Sequence, residues 1–326
     1  MDFKAISAPV ADDFDAVNRF IQSHLDSSVP MIREVGEYII EGGGKRLRPL
    51  VCLLSARANG YQGGFHVNIS AVIEFLHTAT LLHDDVVDES GMRRGRPTVN
   101  AVWGNAASVL VGDFLISRAF QLLVQVGHPV LLDILSLSTN VISEGEVLQL
   151  INCRDPDTTE ERYMRVIHHK TAKMFESAAQ TGAVLAVEGD AATTRAKKVF
   201  GDYGRHMGIA FQLIDDVLDY TGDVTALGKN VGDDLAEGKP TLPLIYTMRE
   251  GTPAQAELIR NAIRTGGLDR LDEIIETVQQ AGGLEYTRQL ARQHTEIALK
   301  ALADVPDSRY RQSLEQLARE AAARQF

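Results

Sequence analysis

The chain has 326 residues, with 33 Lys or Arg against 44 Asp or Glu and a formal net charge of −11. This acidic balance provides no broad basic surface, so a nucleic-acid-binding protein is excluded and any phosphate must be bound locally. The two cysteines, Cys52 and Cys153, have neither disulfide nor metal-site spacing and indicate a reducing compartment.

The N-terminal residues have neither the apolar core of a signal peptide nor the Arg-rich composition of a transit peptide. No stretch approaches the ~18 consecutive apolar residues that a membrane-spanning helix needs. We therefore expect a cytoplasmic protein without a transmembrane segment.

Helical periodicity dominates the chain from its start to its end. Apolar residues recur at spacings of three and four, which predicts an all-α fold of roughly ten to thirteen helices. Thr158 and Thr252 have the context of helix N-caps. Because no linker composition or repeat interrupts the pattern, residues 1–326 are predicted to form a single domain, one large helical bundle.

Two cationic, glycine-rich segments do not fit the helical pattern. The first, residues 41–49, places three glycines beside three cations, and Pro49 is predicted to begin the next helix. The second, residues 221–241, contains four glycines and the lysines Lys229 and Lys239. A loop of about 20 residues in a compact domain is uncommon unless it is functional.

The motif DDxxD occurs twice, each time at the end of an apolar helical pattern. Its residues are Asp84, Asp85 and Asp88 in the first copy and Asp215, Asp216 and Asp219 in the second. At about 100° per residue, the first and last aspartates of each copy lie ~40° apart on one helix face, where they repel each other. A single copy would more often be a solvated helix end. Two copies favour a site where several Mg²⁺ ions bridge a diphosphate, because Mg²⁺ commonly takes one or two carboxylates together with phosphate oxygens.

Helical geometry adds neighbours to both copies of the motif. His77 lies seven residues before the first aspartate of copy one, and Gln212 lies three before that of copy two. Each therefore shares a helix face with an aspartate. Arg93 and Arg94 follow the first copy closely, and arginine suits bidentate contacts to phosphate.

Four stretches resemble the trans-isoprenyl diphosphate synthases, or polyprenyl synthases. They are GGGKRLRP at 42–49, HDDVVD with GMRRG at 83–95, Lys170-Thr171, and QLIDDVLD at 212–219. Their order and spacing match the family from about residue 34 to residue 245. Within it, the chain is most similar to bacterial octaprenyl diphosphate synthases, which make the ubiquinone side-chain precursor. The resemblance implies an isoprenoid-synthase bundle around a central cavity, a homodimer, and Mg²⁺, with three ions per active site when substrate is bound.

The resemblance also implies a role for each matching residue. Magnesium would be held on the allylic diphosphate by Asp84, Asp88 and Asp215, with Asp85, Asp216 and Asp219 in support. The same diphosphate would be contacted by Arg93, Lys170, Thr171, Gln212 and Lys229, with Lys239 closing over it. Isopentenyl diphosphate would be bound by Lys45, Arg48, His77 and Arg94. The six aspartates and Lys170 are thus the predicted catalytic residues.

The implied reaction adds isopentenyl diphosphate units to an allylic diphosphate, with farnesyl diphosphate as the expected primer. The allylic C–O bond ionises, the isopentenyl double bond attacks the carbocation, and loss of a proton ends each cycle. An apolar cavity closed by the 221–241 segment would keep water from the cation.

The family sets product length by the bulk of residues just before the first aspartate cluster. Here Ala79 and Thr80 are small, and Leu76 lies on the same flank of the helix. A helix over 67–88 is ~33 Å long, enough for roughly six isoprene units. We therefore predict a long all-trans product of about eight units, with transient membrane contact for its release. The floor of the cavity is expected from residues 114–123 or 131–137.

Other interpretations remain open at this point. A farnesyl or geranylgeranyl diphosphate synthase would carry the same motifs. His83-Asp84 superficially resembles an HD-type phosphohydrolase, with His66 as a further candidate ligand. A regulatory subunit of a heteromeric synthase would be expected to have lost an aspartate cluster, and a terpene cyclase needs no second diphosphate site.

Overall fold

A computed structural model describes residues 2–221 and 232–324. The helices in this part of the chain are α1 (Phe3–Ser7), α2 (Ala11–His24), α3 (Pro30–Glu41), α4 (Leu47–Ala58), α5 (Phe65–Val87), α6 (Val99–Trp103), α7 (Asn105–Val126), α8 (Pro129–Asn152), α9 (Glu160–Ile167), α10 (Lys173–Val184), α11 (Asp190–Thr221), α12 (Asp233–Ala236), α13 (Leu242–Glu250), α14 (Pro253–Thr265), α15 (Leu271–Gln280), α16 (Gly283–Ala301) and α17 (Arg309–Ala323).

Three further kinds of element complete the secondary structure of the described residues. A π-helical turn, His168–Ala172, joins α9 to α10, and 3-10 turns cover Ala8–Val10 and Leu268–Arg270. Strands β1 (Met92–Arg93) and β2 (Arg96–Pro97) form an antiparallel hairpin after α5. The predicted all-α class is confirmed. The helices outnumber the predicted ten to thirteen because the short ones, such as α1, α6 and α12, have no full apolar period in the sequence.

Of the three helix starts predicted from the sequence, one is confirmed and two are wrong. Thr252 caps α14 with a complete capping box, as predicted. The cap of α9 is Thr159, whereas the predicted Thr158 is buried and lines a cavity. Helix α4 begins at Leu47, two residues before the predicted Pro49, which is compatible with its first turn because N–H groups there lack intrahelical partners.

The main core surrounds α5. This helix packs against α2, α4 and α7, and α10 lies between α4 and α11. Glycines bring the last three helices close together. A Cβ on Gly182 would lie 2.2 Å from the carbonyl oxygen of Cys52, and one on Gly204 would lie 2.4 Å from that of Phe175. Backbone contact between α4, α10 and α11 fixes the helices that flank the site described below.

Among the described residues, α5 and α7 are long and apolar enough to cross a membrane. The sequence itself predicted no such helix. Their most apolar windows have mean hydropathies of 1.2 and 1.6 and are 56% and 44% buried. Length and composition of this kind are weak evidence for a span, because core helices of globular proteins share them.

Candidate active site

A cavity of about 420 Å³ lies among α5, α8 and α11. The predicted site residues that line it are Arg48, His77, Thr80, Asp84, Asp88, Arg93, Arg94, Lys170, Thr171, Gln212, Asp215, Asp216 and Lys239. Five more lie elsewhere in the described residues: Lys45, Leu76, Ala79, Asp85 and Asp219 are not among its lining residues. Lys229 lies outside the described residues.

The first aspartate cluster divides between the cavity and the protein interior. Asp84 and Asp88 both face the cavity, as their shared helix face predicts. Asp85 is buried and accepts hydrogen bonds from Arg93 Nε and Nη2 at 2.8 and 2.7 Å. The Asp85 carbonyl oxygen, near the helix end, accepts hydrogen bonds from the Ser90 N–H at 2.9 Å and from Asn100 Nδ2 at 3.0 Å.

Two lysines compensate the charge of the cavity-facing aspartates. The Nζ atom of Lys170 is 3.2 Å from Asp84 Oδ2, and that of Lys239 is 2.9 Å from Asp88 Oδ2. Burial alone lowers the pKa of each lysine, but the surrounding carboxylates outweigh it and raise both pKa values. Both lysines are therefore cations at neutral pH.

Lys239 is placed by contacts between its segment and the end of α8. The Arg154 N–H donates to the Gly238 carbonyl oxygen at 2.7 Å, and Cys153 Sγ donates to that of Glu237 at 2.9 Å. The predicted functional segment 221–241 is thus anchored at its C-terminal side, while residues 222–231 lie outside the described part of the chain.

The second aspartate cluster has two buried members, Asp216 and Asp219, and one partly exposed member, Asp215, whose side chain is 40% exposed. Asp215 accepts a hydrogen bond from Arg324 Nη2 at 3.1 Å. Asp216 is bonded to the Tyr163 hydroxyl and accepts from Gln212 Nε2 at 2.8 Å. Burial, with repulsion from nearby aspartates, raises the pKa of Asp216 to about 8. Asp219 is buried behind the cavity wall.

These carboxylates fit a metal site that substrate completes. They are oxygen donors, and Asp84, Asp88 and Asp215 border one cavity. Within residues 2–221 and 232–324, no group of three or more His, Cys, Asp or Glu side chains is arranged to hold a metal by itself. Magnesium suits such a site, because it commonly combines one or two carboxylates with phosphate oxygens and water.

A cationic wall with a neutral histidine faces this cluster. Arg48 is half-buried, and the desolvation of its guanidinium lowers its pKa to about 10; its Nη1 lies 3.2 Å from His77 Nε2. Burial, together with Arg48 and Arg94, lowers the pKa of His77 well below its usual value. His77 is therefore neutral at physiological pH and acts as a hydrogen-bonding group. Lys45 is exposed and lies outside this wall.

The backbone around Arg94 is strained in a way that brings two segments together. Arg94 and Gly95 have φ values of 54° and 74°, the pattern of a two-residue hairpin turn. The Arg94 guanidinium donates to the Gly43 carbonyl oxygen. Gly44 has a φ of 146°, which L side chains rarely adopt, and a Cβ there would lie 2.4 Å from Arg94 Nη1, so glycine favours this approach. The hairpin and the glycine-rich segment thus share one wall of the site.

A smaller, more apolar cavity of about 80 Å³ continues below Asp84. Its lining residues are Leu76, Thr80, His83, Asp84, Ile116, Thr139, Ile142, Ser143, Glu146 and Met174. Ala79 is fully buried and lines neither cavity. Ile116 comes from the predicted segment 114–123, whereas the wall from α8 lies at 139–146 rather than at 131–137. We call this smaller cavity the tail pocket.

Sequence reasoning missed several residues that line the main cavity. They are Glu146, Gln149, Asn152, Thr158, Tyr163, Asp233, Asp234 and Glu237. The three from α8 recur every three residues in an apolar helix, which was a usable signal. Arg324 is also absent from the predicted set, and its bond to Asp215 brings the C-terminal region to the site.

The geometry contradicts the HD-type phosphohydrolase interpretation. His83 Nε2 is 3.4 Å from Asp113 Oδ1 on α7 and lies in the tail pocket. His66 Nε2 is 3.0 Å from Asp13 Oδ1 at the other end of α5. Seventeen residues of helix separate the two histidines by about 26 Å, so they do not share a metal.

Known proteins resemble both this sequence and its fold. The Polyprenyl synthetase family profile matches residues 29–279. The chain is 53% identical over 325 residues to "Octaprenyl diphosphate synthase" of Escherichia coli (strain K12), covering 99% of each chain. This chain belongs to the polyprenyl synthetase family. It is a prenyltransferase, which confirms the enzyme class predicted from the motifs.

Two further relatives of this polyprenyl synthetase are informative. The "All-trans-nonaprenyl-diphosphate synthase (geranyl-diphosphate specific)" of Rhodobacter capsulatus is 50% identical over 321 residues, 98% of this chain and 97% of that one. A crystal structure of polyprenyl synthase from Caulobacter crescentus CB15, complexed with calcium and isoprenyl diphosphate, has a TM-score of 0.95 at 40% identity. That match covers 100% of this chain and 98% of the other. The isoprenoid-synthase fold is thereby confirmed.

Proposed function

We propose that this polyprenyl synthetase makes all-trans octaprenyl diphosphate for quinone side chains by adding isopentenyl diphosphate units to an allylic diphosphate, with farnesyl diphosphate as primer. One observation carries the proposal. A cavity lined by two aspartate clusters and several cations joins an apolar tail pocket at Asp84. Such a cavity suits a ligand with a charged head and a hydrocarbon tail.

The allylic diphosphate is assigned to the aspartate side of the cavity. Asp84, Asp88 and Asp215 are the proposed magnesium ligands, with three ions when substrate is bound. Arg93, Lys170, Thr171, Gln212, Lys229 and Lys239 are the proposed diphosphate contacts. Magnesium held by these aspartates would neutralise charge on the leaving diphosphate, and the cationic side chains would add to that stabilisation.

Isopentenyl diphosphate is assigned to the opposite wall. Arg48, His77 and Arg94 line the cavity there, and Lys45 is the proposed contact nearest to solvent. The bond from C1 of the allylic substrate to oxygen breaks, and its electron pair leaves with the diphosphate. C4 of isopentenyl diphosphate then bonds to C1, and its C2 loses a proton to the released diphosphate.

Similarity to long-chain synthases supports a long product, and the growing chain would enter at the tail pocket. Its walls include Thr80 and Leu76, which leave room beneath Asp84. Incubating the chain with farnesyl diphosphate, isopentenyl diphosphate and Mg²⁺ should yield mainly the eight-unit product. Products of three or four units would instead identify a short-chain synthase. No elongation by the purified chain would favour a regulatory subunit.

Two variants test the tail pocket itself. Thr80→Phe places a ring directly in the pocket and should shorten the product to about three or four units. Ala79→Tyr should also shorten it, but with a loss of stability, because Ala79 is enclosed by the core. Unchanged product length in both variants, with activity retained, would contradict the tail-pocket proposal.

We also propose a homodimer that uses the outer faces of α7 and α8. Leu110, Val124, Leu150 and Ile151 are each more than 60% exposed there. Monomeric proteins rarely expose apolar patches of this kind. Sedimentation should give a mass near twice that of the chain, and Leu110→Asp with Leu150→Asp should reduce it to that of the monomer.

A single cytoplasmic domain over residues 1–326 completes the proposal. The family match ends at residue 279, but α17 packs against α4 and α11 in the main core, and α1 packs against α17. The two ends of the chain therefore share one core. Limited proteolysis is expected to leave α17 attached to the remainder, and early release of α17 would argue for a separate unit.

A further inference from the structure

Lys170 is held by α8, a helix that supplies none of the site residues predicted from sequence. Its ammonium lies 3.2 Å from Asp84 Oδ2 and also donates a hydrogen bond to Glu146 Oε2. Glu146 lines the cavity and is only 28% exposed at its side chain. Lys170 therefore has one carboxylate partner inside the aspartate cluster and one outside it.

The backbones of α8 and the π-helical turn are in direct contact beside this pair. A Cβ on Gly145 would lie 2.7 Å from the Lys170 nitrogen and 2.8 Å from His169 Cβ. On the other side of the turn, a Cβ on Gly208 would lie 2.7 Å from Ala172 Cα. Glycines on α8 and α11 thus admit the wider turn, and π-turns are frequent at functional sites.

The π-helical turn directs two consecutive side chains into the cavity. Lys170 reaches the first aspartate cluster, and Thr171 Oγ1 donates to Gln212 Oε1 at 2.9 Å beside the second. The turn is therefore a bridge between the clusters. The bond from Lys170 to Glu146 ties this turn to α8.

Glu146 occupies the boundary between the charged cavity and the tail pocket. Thr80, Asp84 and Glu146 line both spaces. Asp84 is a proposed metal ligand, and a carboxylate engaged with a metal is a weaker partner for an ammonium group. Glu146 is not needed for that role and keeps its bond to Lys170.

We propose that Glu146 is a positioning residue for Lys170, which it holds at the boundary with the tail pocket when Asp84 binds metal. The proposal rests on the proposed function. It assigns Lys170 to the diphosphate oxygen next to the breaking C–O bond, because the hydrocarbon tail begins at that boundary. Glu146 acts on the reaction only through the ammonium group.

The test is a double-mutant cycle on kcat for chain elongation, with Glu146→Gln, Lys170→Met and both together. Glu146→Gln keeps the side-chain shape and removes the charge. We expect it to lower kcat about tenfold, in the range for losing a charged hydrogen bond, and to leave KM for isopentenyl diphosphate unchanged. In the Lys170→Met background it should have no further effect.

Glu144→Gln is the matched control, because Glu144 is exposed on the same helix and accepts a hydrogen bond from Asn140 at 3.0 Å. Its kcat and Tm should equal those of the unmodified chain. Glu146→Asp, which retains the charge, should recover part of the kcat. Unchanged kcat in Glu146→Gln, or losses that multiply in the double mutant, would overturn the positioning role.

A second readout separates this proposal from the proposed function. Calorimetry with pyrophosphate and Mg²⁺ requires no turnover, and Glu146→Gln and Lys170→Met should weaken binding in the same non-additive way. A chain that never elongates isopentenyl diphosphate but shows this coupling would refute the proposed function alone. If the two substitutions weaken pyrophosphate binding independently of each other, the positioning role is refuted while the proposed function stands.

Discussion

The two aspartate clusters have the same motif and the same place on an apolar helix, yet they differ in which aspartates face the cavity. Asp84 and Asp88 both face the cavity and each lies close to a lysine. In the second cluster Asp215 and Asp216 face it, and Asp219 is buried behind the wall. The second aspartate of the motif is thus turned to the interior in one copy and to the cavity in the other.

The helix ends explain part of this difference. Asp88 is the C-cap residue of α5, so the chain turns away and leaves its side chain beside the cavity. Helix α11 continues to Thr221, which keeps Asp219 within the helix and among packed side chains. The cations that contact the two clusters also come from different segments of the chain. Lysines from the π-helical turn and from the segment after α12 serve the first, and Arg324 near the C-terminus serves the second.

Removing the leading aspartate of either cluster is expected to have the largest effect. Asp84→Ala and Asp215→Ala should each lower kcat by about a thousandfold or more, because each removes a proposed ligand of the metal that stabilises the leaving diphosphate. Steady-state kinetics at saturating Mg²⁺ measures this. Near-normal activity in either variant would contradict its metal assignment.

The last aspartate of each motif, Asp88 or Asp219, tests directly whether facing the cavity matters. Asp88→Asn should lower kcat by about a hundredfold, whereas Asp219→Asn should cost about tenfold or less, because only Asp88 faces the cavity. Both variants are compared at several Mg²⁺ concentrations. Equal losses would mean that the two clusters act alike despite their different burial.

The C-terminal cation is expected to matter less than the aspartates. Arg324 bonds to Asp215 Oδ1 and its guanidinium lies 3.9 Å from the centre of the Phe211 ring. Arg324→Ala should lower kcat/KM about tenfold, the usual range for a charged hydrogen bond. Arg324→Lys should recover part of the loss, since it retains the charge but not the planar stacking. Full activity in Arg324→Ala would assign the contact to packing alone.

The smallest expected effect concerns stability and its pH dependence. Asp216 has a folded-state pKa of about 8, above its ordinary value of 3.8. The unfolded chain therefore loses this proton first, and stability falls as pH rises from about 4 to 8. Asp216→Asn mimics the protonated form, so its Tm should exceed that of the unmodified chain by about 2 °C at pH 8 and by less at pH 5. Thermal melts with EDTA measure the difference, and a pH-independent difference would contradict the raised pKa.

The sequence predicted the residues that carry charge into the site better than it predicted their surroundings. Helical periodicity was enough to place Asp84 above Thr80 and Leu76, because residues four apart share a helix face. It could not show that Ala79, one position away, is enclosed by the core. It also missed Glu146, whose importance depends on α8 lying against the turn that holds Lys170.

By itself, the sequence determined the all-α class, the family, the Lys and Arg residues that line the cavity and half of the carboxylates that line it. Each of these depends on short-range periodicity or on motifs within one segment. Only the tertiary structure decided which aspartates face the cavity, that Arg324 reaches Asp215, and that Glu146 lies beside Lys170. These are contacts between residues 24 to 109 positions apart, and the packing of helices sets them because no local pattern in the chain encodes such distances.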